Sequence, residues 1–278
     1  MPDLAIIIVS HNTRTDLERC LRSLHDNPPK VLHEIVVVDN ASSDGSPDFV
    51  CRQWPDIRLI ESSQNVGFAR GNNLGIRATR SVLLLLLNSD TAVPAGAIDA
   101  LVADLAAHPD TAAIGPRIVD ASHRAELSFG AMLGPWSELW QKTIRRLADR
   151  DIGLAVRWID RATRQPRVVD WISGACLLVR RDDAEAVGLL DERYFIYCED
   201  VDFCAALRAR GRRIRFLPTV EITHLRGRSV ATAPTTAEAA YRRSQLSFYE
   251  KHHPGWLPWL KAYLHVRGKL APERADNE

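Results

Sequence analysis

The sequence has neither a long apolar run nor a paired set of cysteines. No apolar stretch approaches the roughly 20 residues of a transmembrane helix, and residues 4–9 are too short, and lack the basic leader, for a secretory signal. The five cysteines are an odd number without CxxC spacing, which argues against a disulfide or zinc framework and favours a reduced, cytoplasmic protein. The net charge of +1 gives no field that would attract nucleic acid.

The sequence does contain short apolar runs that end in polar residues. Residues 82–87 are uninterrupted apolar residues that lead into Asn-Ser-Asp at 88–90, and residues 4–9 and 34–38 form similar runs. Such runs are typical of strands buried on both faces of a parallel sheet, whose carboxyl ends open onto a ligand crevice. With helices between them, they predict an α/β nucleotide-binding half. A turn leading to Pro94 is the competing interpretation of residues 88–90.

Asp39 ends the second run and is followed by a loop of small residues. A buried carboxylate at this position could accept a hydrogen bond from the N3–H of a pyrimidine. A helix N-cap cluster at residues 42–44 is the alternative, and the two interpretations are compatible. Residues 64–75 then combine three glycines with Asn and Arg side chains, which could contact a diphosphate or ribose, although the GxGxxG fingerprint is absent.

Acidic residues follow an aromatic segment in the second half of the chain. Residues 171–179 predict a strand, and the Tyr-Phe-Ile-Tyr run at 194–197 precedes Glu199, Asp200 and Asp202 at a predicted helix start. Complementing the helix dipole accounts for one or two of these carboxylates. A carboxylate beside aromatic side chains is also a reasonable general base for a hydroxyl group.

Two further segments are amphipathic. Residues 136–148 carry apolar and basic residues at helical spacing, which fits a lid over an acceptor, an oligomer face or a plain core helix. Residues 241–252 predict a helix, and residues 256–269 interleave aromatic with basic side chains. This tail fits a membrane interface, or a helix packed on its own domain or on a second subunit.

The polar motifs form an ordered set within roughly residues 4–229. They are IVSHN at 8–12, VVVDNASSDGS at 36–46, NVGFARGNNLG at 65–75, LLNSD at 86–90, SGA at 173–175, YCEDVD at 197–202 and TH at 223–224. The set resembles an inverting glycosyltransferase of family 2, and within that family the bacterial rhamnosyltransferase-like branch. The resemblance implies a GT-A fold, with a Rossmann-like nucleotide-binding half, a mixed central sheet and a C-terminal helical tail.

The resemblance also implies roles for individual residues. The nucleotide-sugar donor would contact Ser10, Asn12, Asp39, Asn65, Gly67, Asn72, Asn73, Asn88, Ser89 and Asp90. Asp200 would be the base that deprotonates the acceptor hydroxyl, with Glu199 and Asp202 in support and the acceptor at Trp171, Gly174 and Ala175. A Mg²⁺ or Mn²⁺ ion on the diphosphate would be held by Asp90, Asn88 and His224.

Asn88 departs from the family pattern, whose DxD metal motif begins with Asp. An amide removes one negative charge from the site, so we expect weaker cation affinity. His224 also has a second interpretation, because a lone histidine is more often structural than a metal ligand.

The resemblance implies domains and partners as well. Residues 1–229 would form the GT-A domain, with a donor half at 1–118 and an acceptor half at 119–229, and residues 230–278 a helical extension. The expected reaction moves L-rhamnose from dTDP-L-rhamnose to a glycan or polyprenyl-linked acceptor, in the cytoplasm or at the inner face of the membrane, in a monomer or a homodimer. A UDP-sugar donor, or a non-catalytic carbohydrate-binding scaffold, is the alternative. A sugar nucleotidyltransferase is disfavoured, because no glycine-rich loop followed by Lys or Arg lies near the N-terminus.

Overall fold

The apolar runs form strands because their side chains are buried on both faces of one sheet. The structure, a computed structural model, describes residues 2–225 and 234–269. The strands are β1 (Leu4–Ser10), β2 (His33–Asp39), β3 (Arg58–Glu61), β4 (Leu83–Asn88), β5 (Thr91–Ala92), β6 (Thr111–Val119), β7 (Phe129–Gly130), β8 (Arg167–Val169), β9 (Trp171–Ile172), β10 (Cys176–Arg180) and β11 (Arg213–His224).

Helices cover both faces of this sheet. They are α1 (Arg14–Asp26), α2 (Ser46–Gln53), α3 (Phe68–Arg77), α4 (Ala97–Ala107), α5 (Pro135–Asp149), α6 (Gly153–Ala162), α7 (Arg181–Ala186), α8 (Glu199–Ala209), α9 (Pro234–His252) and α10 (Leu257–Val266). Strand β1 shows why the runs lack polar alternation. Its Ile6 and Ile8 pack in one core with Leu17 of α1, whereas Ala5 and Ile7 pack in a second core with Ile76 of α3.

The sheet topology gathers the polar strand ends at one edge. The strand order is β3-β2-β1-β4-β10-β6-β11-β5, with β8 also paired to β11. Strands β3, β2, β1 and β4 are parallel, and β10 runs antiparallel to β4. The register pairs Ser10 with Asp39, and Val9 with Asn88, so the loops after these strands are neighbours. The predicted α/β class with a mixed sheet and C-terminal helices is confirmed.

The single strand predicted over residues 171–179 is interrupted. Strand β9 pairs with β7 in a separate two-stranded sheet, and only β10 joins the main sheet. The intervening backbone makes other hydrogen bonds: the Gly174 amide donates to Asp200 Oδ2 at 2.9 Å, and the Ala175 carbonyl accepts from the Asn88 amide at 3.0 Å. The interruption therefore ties the end of β4 to the start of α8.

Strands from the predicted donor and acceptor halves alternate within the main sheet. From the centre to the edge the order β4-β10-β6-β11-β5 takes strands from 1–118 and from 119–229 in turn. The two halves share one sheet, and the predicted boundary at 118 lies within β6. The division into a donor half and an acceptor half stays a prediction. The boundary at 229 lies outside the described residues.

Helix α5 is not the plain core helix that residues 136–148 allowed. Ile144 is buried, but Trp136 and Trp140 are 75% and 54% exposed. Buried polar contacts set this orientation, because Glu138 accepts hydrogen bonds from Tyr241 and Tyr249 of α9. Among residues 2–225 and 234–269, no helix is long and apolar enough to cross a membrane.

Candidate active site

Asp39, at the end of β2, offers one unused acceptor. Its Oδ2 accepts a hydrogen bond from the Ser42 amide at 2.9 Å, while its buried Oδ1 has no partner among the described residues. The N-cap of α2 is Gly45, and no side chain caps this helix. An unsatisfied buried acceptor costs about 1–3 kcal/mol. A ligand N–H at this oxygen would remove that cost.

The neighbouring loops are held together by short polar links. The hydroxyls of Ser10, Thr13 and Ser89 form a chain, with O–O distances of 2.9 and 3.0 Å, that joins the end of β1 to the loop after β4. Asn12, at a φ of 53°, accepts a hydrogen bond from the Ser43 amide at 2.7 Å. These hydrogen bonds hold the loops that follow β1, β2 and β4 together next to Asp39.

The loop before α3 approaches the second half of the chain. Gly67 has a φ of +85°, and a Cβ there would lie 2.3 Å from the carbonyl oxygen of Phe195, so only glycine fits this close approach. Asn65 accepts from the Gly67 amide at 3.0 Å. Asn72 keeps a buried Oδ1 without a described partner. The side-chain amide of Asn73 instead donates to the Leu190 carbonyl and accepts from the Leu190 N–H, which anchors α3 to the chain at residue 190.

Asp90, just past β4, contacts His224 at the end of β11. His224 Nε2 lies 3.0 Å from Asp90 Oδ1 and 3.3 Å from Asn88 Nδ2, and its Nδ1 lies 3.6 Å from Glu126 Oε2. Burial lowers the pKa of His224, but the hydrogen bonds and charges of Asp90 and Glu126 outweigh it and raise the pKa to about 9. Asp90 and Glu126 therefore stabilise a positive charge at the position of His224.

These donors fit a divalent cation that a diphosphate would complete. Asp90 would supply a carboxylate and His224 an imidazole nitrogen. The side chain of Asn88, whose Nδ2 faces His224 here, would supply its amide oxygen if the amide group is turned over. Across the two described ranges, no three His, Cys, Asp or Glu side chains converge as a ready-made cage. In nucleotide sites Mg²⁺ is usually bound through one or two carboxylates together with substrate phosphates and water, so the diphosphate would have to complete the ligand set.

Asp200 lies at the start of α8 and is held by two amides. Its Oδ2 accepts from Gly174 at 2.9 Å and its Oδ1 from Val201 at 2.8 Å. Burial raises the pKa of Asp200, and these amides and the charge of Arg145 oppose the rise. The adjacent Glu199 is buried, with an Oε2 that has no described partner, and burial and the Asp200 charge raise its pKa well above the usual value.

Asp202 is separated from this pair. Its Oδ2 accepts from Lys251 at 2.8 Å, and its Oδ1 lies 2.6 Å from His252 Nε2, both on α9. Trp171 is also turned inward, because its buried indole N–H donates to the Ala131 carbonyl at 2.9 Å. The hydrogen bonds of both residues run to other parts of the fold. The predicted support of the base by Asp202 and the predicted acceptor contact of Trp171 stay predictions.

Glu126 and Arg145 are site residues that the sequence did not single out. Glu126 faces His224, and Arg145, in α5, lies with its guanidinium carbon 5.8 Å from the centre of the Trp171 ring. Both come from residues 120–168, where no motif marks individual side chains. Only the fold brings Glu126 to His224, which is 98 residues later in the chain, and Arg145 close to Asp200, which is 55 residues later.

Replacing Arg145 by Gln is expected to move the acid limb of the kcat/KM profile to higher pH. The cation favours the ionised form of Asp200, so its loss raises the pKa of the carboxyl further. The pH dependence of transfer to a water-soluble acceptor measures this shift. Arg146→Gln is the matched control, since Arg146 is exposed. An acid limb at the same pH in the variant would contradict electrostatic coupling between Arg145 and the Asp200 carboxylate.

Comparisons with known proteins identify the family of this chain. A family model described as glycosyl transferase family 2 matches residues 5–159. The chain is 30% identical over 304 residues to the N-acetylglucosaminyl-diphospho-decaprenol L-rhamnosyltransferase of Mycobacterium tuberculosis, over 98% of this chain and 95% of that protein. It is 29% identical over 233 residues to a low-salt glycan biosynthesis hexosyltransferase of Haloferax volcanii, over 81% and 67%.

A solved structure shares the fold. The mannosyltransferase from Pyrobaculum calidifontis in complex with GDP-Man and Mn²⁺ matches with a TM-score of 0.61 and 20% identity, over 95% of this chain and 70% of that one. The predicted GT-A fold is thereby confirmed. Because the family model spans more than half of the chain and the mycobacterial relative matches nearly all of it, the protein belongs to glycosyl transferase family 2 and is a glycosyltransferase.

Proposed function

We propose that the enzyme transfers L-rhamnose from dTDP-L-rhamnose to a hydroxyl of a polyprenyl-diphosphate-linked glycan. The mycobacterial relative, which matches along nearly its whole length, is an L-rhamnosyltransferase that acts on N-acetylglucosaminyl-diphospho-decaprenol, and this supports L-rhamnose as the sugar and a polyprenyl-diphosphate-linked acceptor. The unused Oδ1 of Asp39 supports a pyrimidine nucleotide, because the N3–H of thymine can donate to it. Uracil carries the same N3–H, so a UDP-sugar donor is the second candidate.

The position of Asp200 carries the proposal. Two amides fix its carboxylate at the start of α8, and one of them belongs to Gly174, in the segment tied to the end of β4. The acceptor would therefore lie between the base and the donor diphosphate. In the proposed reaction Asp200 takes the proton of the acceptor hydroxyl, whose oxygen attacks the anomeric carbon from the face opposite the leaving diphosphate.

One displacement of this kind inverts the anomeric centre, so a β-L-rhamnosyl donor gives an α-L-rhamnoside. No carboxylate nucleophile is required, since the C–O bond to the acceptor forms as the bond to the diphosphate breaks. Asp90 and His224, with Asn88, would hold Mg²⁺ or Mn²⁺, which stabilises the charge that develops on the leaving phosphate oxygen. The amide at Asn88 leaves this site with one carboxylate, so we expect moderate cation affinity.

The proposal also covers the location of the enzyme, its oligomeric state and a non-catalytic alternative. A lipid-linked acceptor would place the enzyme in the cytoplasm at the inner face of the membrane, with the C-terminal tail in contact with the bilayer. A homodimer is compatible with this location. A non-catalytic carbohydrate-binding scaffold is the alternative that Asn88 keeps open, and donor turnover separates it from the enzyme.

Donor calorimetry tests the proposal directly. dTDP-L-rhamnose, dTDP-glucose, UDP-glucose, UDP-galactose and GDP-mannose are titrated with and without Mg²⁺ or Mn²⁺. We expect dTDP-L-rhamnose to bind most tightly, and more tightly with metal. Preference for a UDP-sugar would replace the donor and keep the mechanism, whereas no binding by any of the five would favour the scaffold.

A further inference from the structure

The first two turns of helix α5 bury polar side chains and expose apolar ones, the reverse of an ordinary surface helix. Trp136, Leu139 and Trp140 are 75%, 59% and 54% exposed, whereas Glu138 and Gln141 are 5% and 8% exposed. Single exposed apolar residues need no explanation, but a turn of helix that presents three together marks an interaction site.

Buried hydrogen bonds fix this orientation. Glu138 accepts from Tyr241 at 2.7 Å, from Gln245 at 2.6 Å and from Tyr249 at 2.8 Å, and Gln141 donates to the Ala131 carbonyl at 3.0 Å. Turning the tryptophans inward would expose these partners and leave a buried carboxylate unpaired, which is strongly unfavourable. The outward aromatic side chains are therefore a stable property of the fold.

The neighbouring helices extend the exposed apolar surface. On α6, Leu154 is 79% exposed, and the ring of Trp158 packs edge-on against Trp140 with 5.9 Å between centroids. On α10, Leu264 is fully buried, whereas Trp259 and Tyr263 are 71% and 56% exposed. We define the tryptophan face as Trp136, Trp140, Leu154, Trp158, Trp259 and Tyr263.

A polar contact between the segments that lead into α5 and α10 connects the two parts of this face. His253 Nε2 lies 2.6 Å from the Leu133 carbonyl oxygen. Leu133 lies two residues before α5, and His253 directly precedes a short 3-10 helix, Pro254–Trp256, that leads into α10. Trp136 lies three residues after Leu133, Trp256 lies three residues after His253, and both tryptophans are exposed. The contact places the first turns of the two helical segments side by side.

The same helices carry excess positive charge. Arg146, Arg150, Arg157 and Arg161 are exposed on α5, α6 and the turn between them. Of the four acidic residues in this hairpin, Glu138 is buried, and Asp151 and Asp160 form ion pairs with other arginines. The fourth, Asp149, is exposed and offsets only one of the four exposed arginines. Residues 254–269 contain Lys261, Arg267 and Lys269 and no Asp or Glu.

Charge complementarity selects one occupant for this face. Tryptophan and tyrosine prefer the membrane–water interface, and arginine and lysine are attracted to anionic headgroups. A second copy packed symmetrically on the same face would bring arginines of the two copies together, and like charges across an interface are unfavourable. We propose that the tryptophan face docks the enzyme on a bilayer that contains anionic phospholipid.

The docking face adjoins the acceptor side of the site. Gln141 of α5 lies against Gly130 of β7, which pairs with β9, and the chain continues from β9 to Gly174, the residue that holds the base. Arg145 of the same helix contributes to the electrostatics of Asp200. Only this step rests on the proposed function: a bilayer on the tryptophan face would present a lipid-linked acceptor close to Asp200.

Vesicle co-sedimentation of the full chain, without donor or acceptor, tests the docking itself. We expect binding to vesicles of phosphatidylethanolamine and phosphatidylglycerol to be at least tenfold stronger than to phosphatidylcholine, since each arginine near an anionic surface is worth roughly fivefold. The double substitution Trp136→Ser with Trp140→Ser should weaken binding at least tenfold. Leu32→Ser with Val82→Ser is the matched control, because both residues are more than 60% exposed elsewhere.

Two results would overturn the proposal. One is wild-type binding that does not depend on phosphatidylglycerol or on the tryptophans. The other is a concentration-dependent dimer, seen by light scattering, that the tryptophan variant abolishes, because a second copy would then occupy the face. A chain that binds vesicles but not dTDP-L-rhamnose would refute the proposed donor and support the docking, so the two failures are distinguishable.

Discussion

Asp200→Asn is expected to lower kcat by about 10²- to 10⁴-fold, the contribution that general base catalysis typically makes. Asparagine keeps the shape of the side chain and an oxygen that can accept from the Gly174 amide, but it cannot take a proton from the acceptor hydroxyl. Single-turnover transfer measures the loss, and calorimetry should find an unchanged Kd for the donor.

The stability of this variant gives an independent readout. Burial raises the pKa of Asp200 in the folded state above its value in the unfolded chain. When the pH exceeds the unfolded-state pKa, ionisation of this carboxyl therefore lowers the stability of the folded protein. Near neutral pH, Asp200→Asn should therefore unfold no more easily than the wild type. Full turnover in this variant would remove Asp200 from the role of base and make Glu199 the next candidate.

Asp202→Asn is the matched control. Asp202 is buried and bound to Lys251 and His252 of α9, so the substitution breaks a buried ionic contact and should cost roughly 3 kcal/mol in the free energy of unfolding. Below the unfolding temperature the variant should retain far more activity than Asp200→Asn. The two neighbouring carboxylates would thus separate into a chemical role and a structural one.

The spacing of Asp200 and Asp202 indicates that they cannot both face the same site. Successive residues of an α-helix are rotated by about 100°, so side chains two positions apart point in nearly opposite directions. Asp200 and Asp202 both follow the helix start at Glu199, and they contact Gly174 and α9 respectively. The sequence therefore contained the signal that one of them leaves the site, although it did not say which.

The strand ends were predictable because a parallel sheet aligns them. Apolar runs set the register that places Asp39 and Asn88 at one edge, and this needs only the order of the strands. The interruption between β9 and β10 was not predictable, because its cause is a hydrogen bond between Gly174 and a side chain 26 residues away. The orientation of α5 depends in the same way on α9, more than 100 residues further along the chain.

Asp90→Ala is expected to remove the effect of metal on donor binding and to lower kcat/KM by about 10²- to 10³-fold, since a bound cation supplies several kcal/mol of charge stabilisation in the transition state. With Asn88 at the first motif position, Asp90 is the one carboxylate that the DxD-like segment contributes. The donor Kd, titrated with and without Mg²⁺ or Mn²⁺, measures the effect, and the exposed Asp56→Ala is the control.

The companion variant Asp90→Asn separates charge from shape. It keeps an oxygen that can face His224, which lies 3.0 Å from Asp90, but it leaves the segment without a negative charge. If the carboxylate charge holds the cation, Asn at this position should lose the metal effect as fully as Ala. Donor affinity that still responds to metal in both variants would contradict the assignment and move the cation toward the space between His224 and Glu126.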